Sequence, residues 1–150
     1  MIESLKIACV IPCYKETSHI LDVLKEIPDL VDFIFVIDDN CPEKTGEKVL
    51  EQNKDLRVNV IFLEKNLGVG GATVAGYKEA IKNDADIVVK IDGDGQMDPS
   101  NLIKIITPVV SKKCDYAKGN RFFFINDIKS MPKGRIFGNI CLTFFSKFSS

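Results

Sequence analysis

Residues 86–99 read Asp86-Ile-Val-Val-Lys-Ile-Asp92-Gly93-Asp94-Gly95-Gln96-Met97-Asp98-Pro99. An apolar run opens into two carboxylates separated by one glycine, then Gly, Gln, a third carboxylate and Pro. The run predicts a buried strand over 86–91, with the acids where it becomes a loop. Three acids within seven residues repel one another, and a hard divalent cation is the usual group that offsets them. Side chains two apart on extended chain share a face, so Asp92, Asp94 and Gln96 are the expected ligands. Mg²⁺ or Mn²⁺ held by one or two carboxylates keeps coordination positions open for substrate phosphates. An EF-hand loop from Asp92 would need Gly at its sixth position and Glu at its twelfth. Those positions hold Met97 and Ile103, which excludes it. A solvated acidic turn is the plain alternative.

Outward from this loop, strands and helices alternate. Apolar runs predict strands over 5–12, 32–38 and 57–63, and a short one over 115–118. Helical spacing appears over 17–27, where Ile20, Leu21, Leu24 and Ile27 share a face, and a short helix is expected over 46–53 and another helix over 71–82. A further helix is expected over 98–110, with Pro99 at its first position and Pro108 ending or kinking it. This alternation predicts an α/β fold with a mostly parallel, Rossmann-like sheet covered by helices on both faces. Right-handed crossovers bring the loops after the strands to one edge, where ligands bind in open sheets. The loops are 13–16, 38–45, 64–70 and 92–98.

The length of 150 residues fits one domain with its own core. The net charge of −1 hides an asymmetry. Residues 1–110 carry 12 Lys and Arg against 19 Asp and Glu, and residues 111–150 carry 8 against 2. Seven of the ten Phe follow residue 120. The chain thus reads as one domain in two parts, an acidic core over 1–110 and a basic, aromatic end over 111–150. That end suits an anionic partner or a membrane surface. Apolar residues at 136, 137, 140, 144, 145 and 148 predict an amphipathic helix over 134–148, able to dock at a membrane interface or to pack on protein. The acidic core gives no case for a nucleic-acid partner. The five cysteines form no CxxC pair and read as reduced thiols. Glu3 and Lys6 interrupt any apolar start, and no run reaches the roughly 18 residues needed to cross a bilayer. A cytoplasmic location is therefore expected. The last residues lack a clear terminating element, so the chain is expected to be an N-terminal piece of a longer protein. A lone histidine, His19, gives no basis for a Ser-His-Asp triad or a zinc site.

The other strand-end loops hold further candidates. Asp38 and Asp39 end the second strand. One is expected to cap the following turn, and the other, Asp39 by preference, to accept from a base N–H or ribose hydroxyl. Asn66-Leu67-Gly68-Val69-Gly70-Gly71-Ala72 precedes a helix, where glycines allow positive φ and close approach of a ligand. Tight helix–sheet packing explains them equally well. The dinucleotide fingerprint fails, because its sixth position from Gly68 is Thr73. Arg121 and Arg135, in the basic end, are candidate phosphate clamps.

In combination these segments resemble the family 2 glycosyltransferases of the GT-A fold, and within them the dolichyl-phosphate mannose synthase type of polyprenyl-phosphate sugar transferase. Val10-Ile11-Pro12-Cys13-Tyr14-Lys15-Glu16 resembles the opening V-I-P-x-Y-N-E, with Lys15 at the common Asn. Val36-Ile37-Asp38-Asp39-Asn40 resembles V-D-D-x-S, with Cys41 where Ser is common. Residues 66–80 resemble N-x-G-x-G-x-A-x-x-x-G-x-x-x-A, residues 91–99 resemble the D-x-D-x-Q-x-x-P metal loop, and residues 119–122 resemble G-S/N-R-F/Y. The resemblance covers about residues 5–140. It implies that Pro12, Tyr14 and Glu16 line a nucleotide pocket, with Asn66 and Gly70 nearby, and that Asp39 contacts base or ribose. It implies that Asp92, Asp94 and Gln96 hold Mg²⁺ or Mn²⁺ on the donor diphosphate, and that Arg121, Arg135 and the Asn139 position face acceptor phosphate and leaving group. The implied reaction is inverting hexose transfer from a UDP- or GDP-sugar to a glycan or lipid-phosphate acceptor such as a polyprenyl phosphate, at the inner face of the membrane. A noncatalytic nucleotide- or metal-binding module, or an inactive piece of such an enzyme, stays open. A sugar-nucleotide pyrophosphorylase would want a Gly-rich, basic loop after the first strand, and residues 13–16 are not that.

Overall fold

The computed structural model describes residues 5–119. The expectations for Asn120–Phe122, for Arg121, Arg135 and Asn139, and for a helix over 134–148 lie outside the described residues. The chain divides into two compact units, Met1–Ala117 and Lys118–Ser150, and the description below is of the first.

The elements run β1 (Ile7–Cys13), α1 (Ile20–Lys25), β2 (Phe33–Asp38), α2 (Thr45–Gln52), β3 (Val58–Phe62), α3 (Gly68–Lys82), β4 (Ile87–Lys90), a 3₁₀ turn (Pro99–Asn101) and α4 (Leu102–Val110). The sheet has the order β3-β2-β1-β4, and every described pairing is parallel. All seven residues of β1 are buried, as a central strand covered on both faces requires. Ile7, Cys9, Ile11 and Cys13 pack with Ile20, Val23 and Leu24 of α1, Val49 of α2, and Leu102 and Ile106 of α4. Ala8 and Val10 point the other way, to Ala72 and Ala80 of α3. The period of two along β1 therefore divides the core into two layers.

This topology places a crevice. From β1 the chain moves outward through α1 to β2 and through α2 to β3. It then crosses by α3, on the opposite face, to β4 on the other side of β1. The strand order reverses between β1 and β4, and ligands bind at such a switch point, beyond the strands' carboxyl ends. The ladders diverge there. Pairing of β1 with β2 continues to Cys13 opposite Asp38, whereas pairing with β4 stops at Val10 opposite Lys90. Pro12, two residues on, has no N–H to extend a ladder, and the strands part.

Four expectations need correction. Strand β1 runs one residue past Pro12, because β2 still pairs with it there. Helix α3 starts at Gly68, so residues 68–70 are helical rather than loop residues. Of the cluster only Gly68, at φ +73°, uses the left-handed freedom of glycine. No strand forms over 115–118, where no partner strand is present among the described residues. Pro108 does not break α4, which runs two residues further; it sits in the last turn, where few hydrogen bonds remain to be lost.

Candidate active site

The crevice is a cleft of about 150 Å³ lined by Pro12, Cys13, Tyr14, Glu16, Asp39, Val69, Ala72, Asp92, Gly93 and Asp94. Three strand-end loops and the first turn of α3 build it. Gly93, in the loop after β4, lies against the end of β1 and the loop that follows it. A Cβ there would lie 3.1 Å from the Cys13 Sγ and 3.4 Å from the Glu16 Cγ. Glycine is thus what lets Asp92 and Asp94 stand beside Glu16.

The cleft acids are not equivalent. Asp94 Oδ1 accepts the Gln96 backbone N–H at 2.9 Å, which orients the carboxylate. Asp92 is paired with the Lys90 ammonium, and both side chains are about a third exposed. Asp98, the third acid of the loop, accepts from the Ser100 N–H and the Asn101 amide and caps the Pro99–Asn101 turn. These bonds hold its carboxyl below the usual range, Ser100 contributing most. The Glu16 carboxyl is pushed up, by partial burial first and then by Asp94; Asp92 and Glu43 add to this, and His19 opposes it. The cleft therefore carries excess negative charge. As the folded-state value is raised, the stability that Glu16 contributes is present at low pH and lost as pH rises through its folded pKa. Among the described residues no three Asp, Glu, His or Cys side chains close into a cation cage. Two hard carboxylates on one loop, with charge to offset, fit Mg²⁺ or Mn²⁺ whose remaining positions go to phosphate and water.

Asp38 and Asp39 separate cleanly. Both are 2% exposed, so their partners separate them: the oxygens of Asp38 accept from the Cys41 and Gly46 backbone N–H groups, each at 2.7 Å. It ties residues 38–46 together and does not line the cleft. That removes it from the nucleotide-binding set: both oxygens are taken by the chain's own amides. Asp39 reaches the cleft wall, and its Oδ1 accepts from the Leu67 N–H at 2.7 Å, bracing the start of α3. Asp38→Ala is expected to destabilise the domain by about 2–3 kcal/mol, since it strands two buried amide donors. Asp38→Asn retains an oxygen and is expected to cost roughly half as much. Urea unfolding checks this, and an unchanged midpoint in the Ala variant would refute the bracing role.

Of the other expected residues, Pro12, Tyr14 and Glu16 line the cleft, and Asn66, Gly70 and Gln96 do not. Asn66 Oδ1 accepts the Gly68 N–H at 3.0 Å, an Asx turn that starts α3. A Cβ on Gly70 would meet nothing within 4 Å. Tyr14 is 43% exposed, with the Lys15 ammonium 5.5 Å from its ring centroid. Lys15 has φ +64°, a conformation Asn adopts more easily than Lys, which accounts for the Asn common in the resembling motif. The sequence reading missed Cys13, Val69, Ala72 and Gly93 as wall residues. The tight glycine between two acids was the available signal for the last of these. Cys41 lies under the wall, where its Sγ accepts the Lys15 N–H at 3.1 Å and meets the Thr45 hydroxyl at 3.1 Å. Burial alone would raise its thiol pKa, but these bonds, with others from the Thr45 and Glu43 amides, bring it below the ordinary value.

The parallel α/β domain, with its acid-lined cleft at the switch point, has the GT-A class of fold by its likeness to solved structures. Among solved structures it is similar to glucosyl-3-phosphoglycerate synthase from Mycobacterium tuberculosis, crystallised with Mn²⁺, UDP and glucosyl-3-phosphoglycerate. The TM-score is 0.58 at 24% identity, over 73% of this chain and 41% of that one. It is also similar to Staphylococcus aureus TarS residues 1–349 in complex with UDP, at TM-score 0.54 and 21% identity, over 68% and 32% of the two chains. The profile of "Glycosyl transferase family 2" matches residues 8–149, and the chain belongs to that family. A UDP-N-acetylglucosamine–dolichyl-phosphate N-acetylglucosaminyltransferase of Methanococcus voltae is 33% identical over 151 residues, 91% of this chain and 60% of the relative. The dolichol-phosphate mannosyltransferase of Pyrococcus furiosus is 29% identical over 132 residues, 85% and 36% respectively. The chain thus spans between about a third and three-fifths of these two curated relatives.

Proposed function

We propose that this chain carries the nucleotide- and metal-binding part of an enzyme that transfers a hexose, with inversion, from a UDP- or GDP-sugar to an acceptor, best fitted by a polyprenyl phosphate. One observation carries the reading: Glu16, Asp39, Asp92 and Asp94, from three separate strand-end loops, line one cleft with Pro12 and Tyr14. Single acidic turns are common, but four carboxylates converging at a switch point suit a diphosphate bound through a cation. Mg²⁺ or Mn²⁺ held by Asp92 and Asp94 would supply Lewis acidity to the departing diphosphate. Tyr14 offers a half-exposed ring to a flat base. Asp39, with one oxygen on Leu67, has the other for a base N–H or a ribose hydroxyl.

A phosphate acceptor is already anionic and needs cationic positioning more than a general base. Residues 111–150, with 8 Lys and Arg against 2 Asp and Glu, have that character, and Arg121 and Arg135 are assigned to acceptor phosphate and leaving group. The same end, with its Phe-rich stretch, is assigned to contact with the cytoplasmic face of a membrane. The domain therefore works as an acidic nucleotide side over 1–110 and a basic acceptor side over 111–150. The names of the Methanococcus voltae and Pyrococcus furiosus relatives, which pair a sugar with dolichyl or dolichol phosphate, support the lipid-phosphate reading.

Titration calorimetry with UDP, GDP and their sugars, with and without Mn²⁺, tests the assignment. Binding of one nucleotide series is expected to appear or tighten at least about tenfold with Mn²⁺, and metal-independent or absent binding of both would end it. A noncatalytic module is the second reading, favoured by the 60% coverage of the first relative. Turnover by these 150 residues, compared with a chain extended to that relative's length, separates the two.

A further inference from the structure

The cleft acids have an internal competitor. Lys90 ends β4 opposite Val10, so it lies on the α3 face of the sheet, the face to which Val10 contributes. Asp92, two residues on, receives its ammonium. Among the described residues this is the only ion pair made by a cleft acid. Two other basic side chains near the cleft are placed differently. Lys15 stands over Tyr14, and His19, at the start of α1, lies against Gly95. Lys90 therefore occupies the first carboxylate of the pair assigned to the divalent ion.

We propose that Lys90 is a counter-ion switch. Its ammonium holds Asp92 while the cleft is empty, is displaced when a divalent cation takes that carboxylate, and then finds a new anionic partner in the incoming diphosphate. This rests on the assignment of Asp92 and Asp94 to the metal. In this scheme a divalent cation must first displace a tethered positive charge to take the Asp92 carboxylate. With the diphosphate present, the released ammonium is stabilised rather than stranded. Metal and nucleotide then bind as coupled partners, each raising the affinity of the other by the same factor. Lys90 is a positioning residue in this scheme and breaks no bond.

The test measures Mn²⁺ affinity from the electron paramagnetic resonance signal of the free ion, in the whole 150-residue chain, alone and with UDP or GDP. Lys90→Gln keeps most of the stem and removes the charge, and Lys90→Arg keeps the charge. Without nucleotide, Lys90→Gln is expected to bind Mn²⁺ about fivefold tighter or more, because a like charge has left the site. The factor by which nucleotide tightens Mn²⁺ is expected to shrink at least as much, and Lys90→Arg is expected to follow the parent chain. Unchanged or weaker Mn²⁺ binding by Lys90→Gln, with the parent still binding Mn²⁺ in the presence of nucleotide, overturns the switch and leaves the metal assignment standing. No Mn²⁺ binding by the parent under any condition overturns both.

Discussion

Gly76→Val is expected to destabilise the domain by about 3 kcal/mol or more, a fall in Tm of about 10 °C or more. A Cβ on Gly76 would lie 2.2 Å from Val10 Cγ1, 3.1 Å from Val10 Cγ2 and 3.2 Å from Ile37 Cγ1. Optimal carbon contacts lie near 3.5–4.0 Å. Val10 and Ile37 are fully buried on neighbouring central strands and have no free space to enter. Helix α3 would have to lift from the sheet, and its first turn, with Val69 and Ala72, would leave the cleft wall. Gly76→Ala removes the same clearance but improves helix propensity by about 1 kcal/mol, so its net loss is expected to be smaller. Two controls give the claim its edge. Gly70→Ala, in the same helix with nothing within 4 Å, is expected to be neutral or slightly stabilising. Val10→Ala should partly rescue Gly76→Ala, as a positive coupling in a double-mutant cycle. Urea and thermal unfolding supply all of these values, and a Gly76→Val chain as stable as the parent would show that α3 is not held this close.

The glycine at 76 also shows where the sequence was legible and where it was not. The alternation of apolar strands with helical spacing was strong enough to place β1–β4 within about two residues, because parallel strands buried on both faces leave continuous apolar runs. The start of α3 was misjudged. The glycines at 68 and 70 read as loop formers, yet they open a helix whose Ala72, Gly76 and Ala80, spaced by four, are its buried edge on the sheet. In the site, Pro12, Tyr14, Glu16, Asp39, Asp92 and Asp94 were recognisable from their place at strand ends. Asp38 and Asn66 stand at equally suitable places, but local backbone N–H groups take their oxygens. Composition and spacing tell which strand end an acid occupies. They do not tell whether an amide a few residues on reaches it first. For the same reason nothing in the sequence predicted the Lys90–Asp92 pair or the Cys41 thiol beneath the wall, both of which depend on side-chain direction.

Asp94→Asn is expected to abolish metal-dependent nucleotide binding, a loss of at least about 100-fold in Mn²⁺ affinity measured with nucleotide present. The substitution is nearly isosteric, so the Gln96 N–H can still find an oxygen and the loop should keep its shape. What disappears is one of the two charges assigned to the ion. A second readout needs no ligand. Asp94 is the largest electrostatic contribution that raises the Glu16 carboxyl, after burial. With that charge gone, the Glu16 pKa is expected to fall toward the ordinary carboxylate value, which carboxyl-carbon NMR follows directly. The sign for stability follows. A lower folded-state pKa lessens the penalty for ionising Glu16, so the metal-free variant is expected to gain stability over the parent at pH 7 and to lose that advantage as pH falls below the carboxylate range. Asp92→Asn should lower the Glu16 pKa less, because the contribution of Asp92 is the smaller. The two readouts divide the claim. An unmoved Glu16 would mean that the carboxylates do not share a cleft in solution. A shifted Glu16 with undiminished Mn²⁺-dependent binding would mean that they do, but that the metal is held elsewhere.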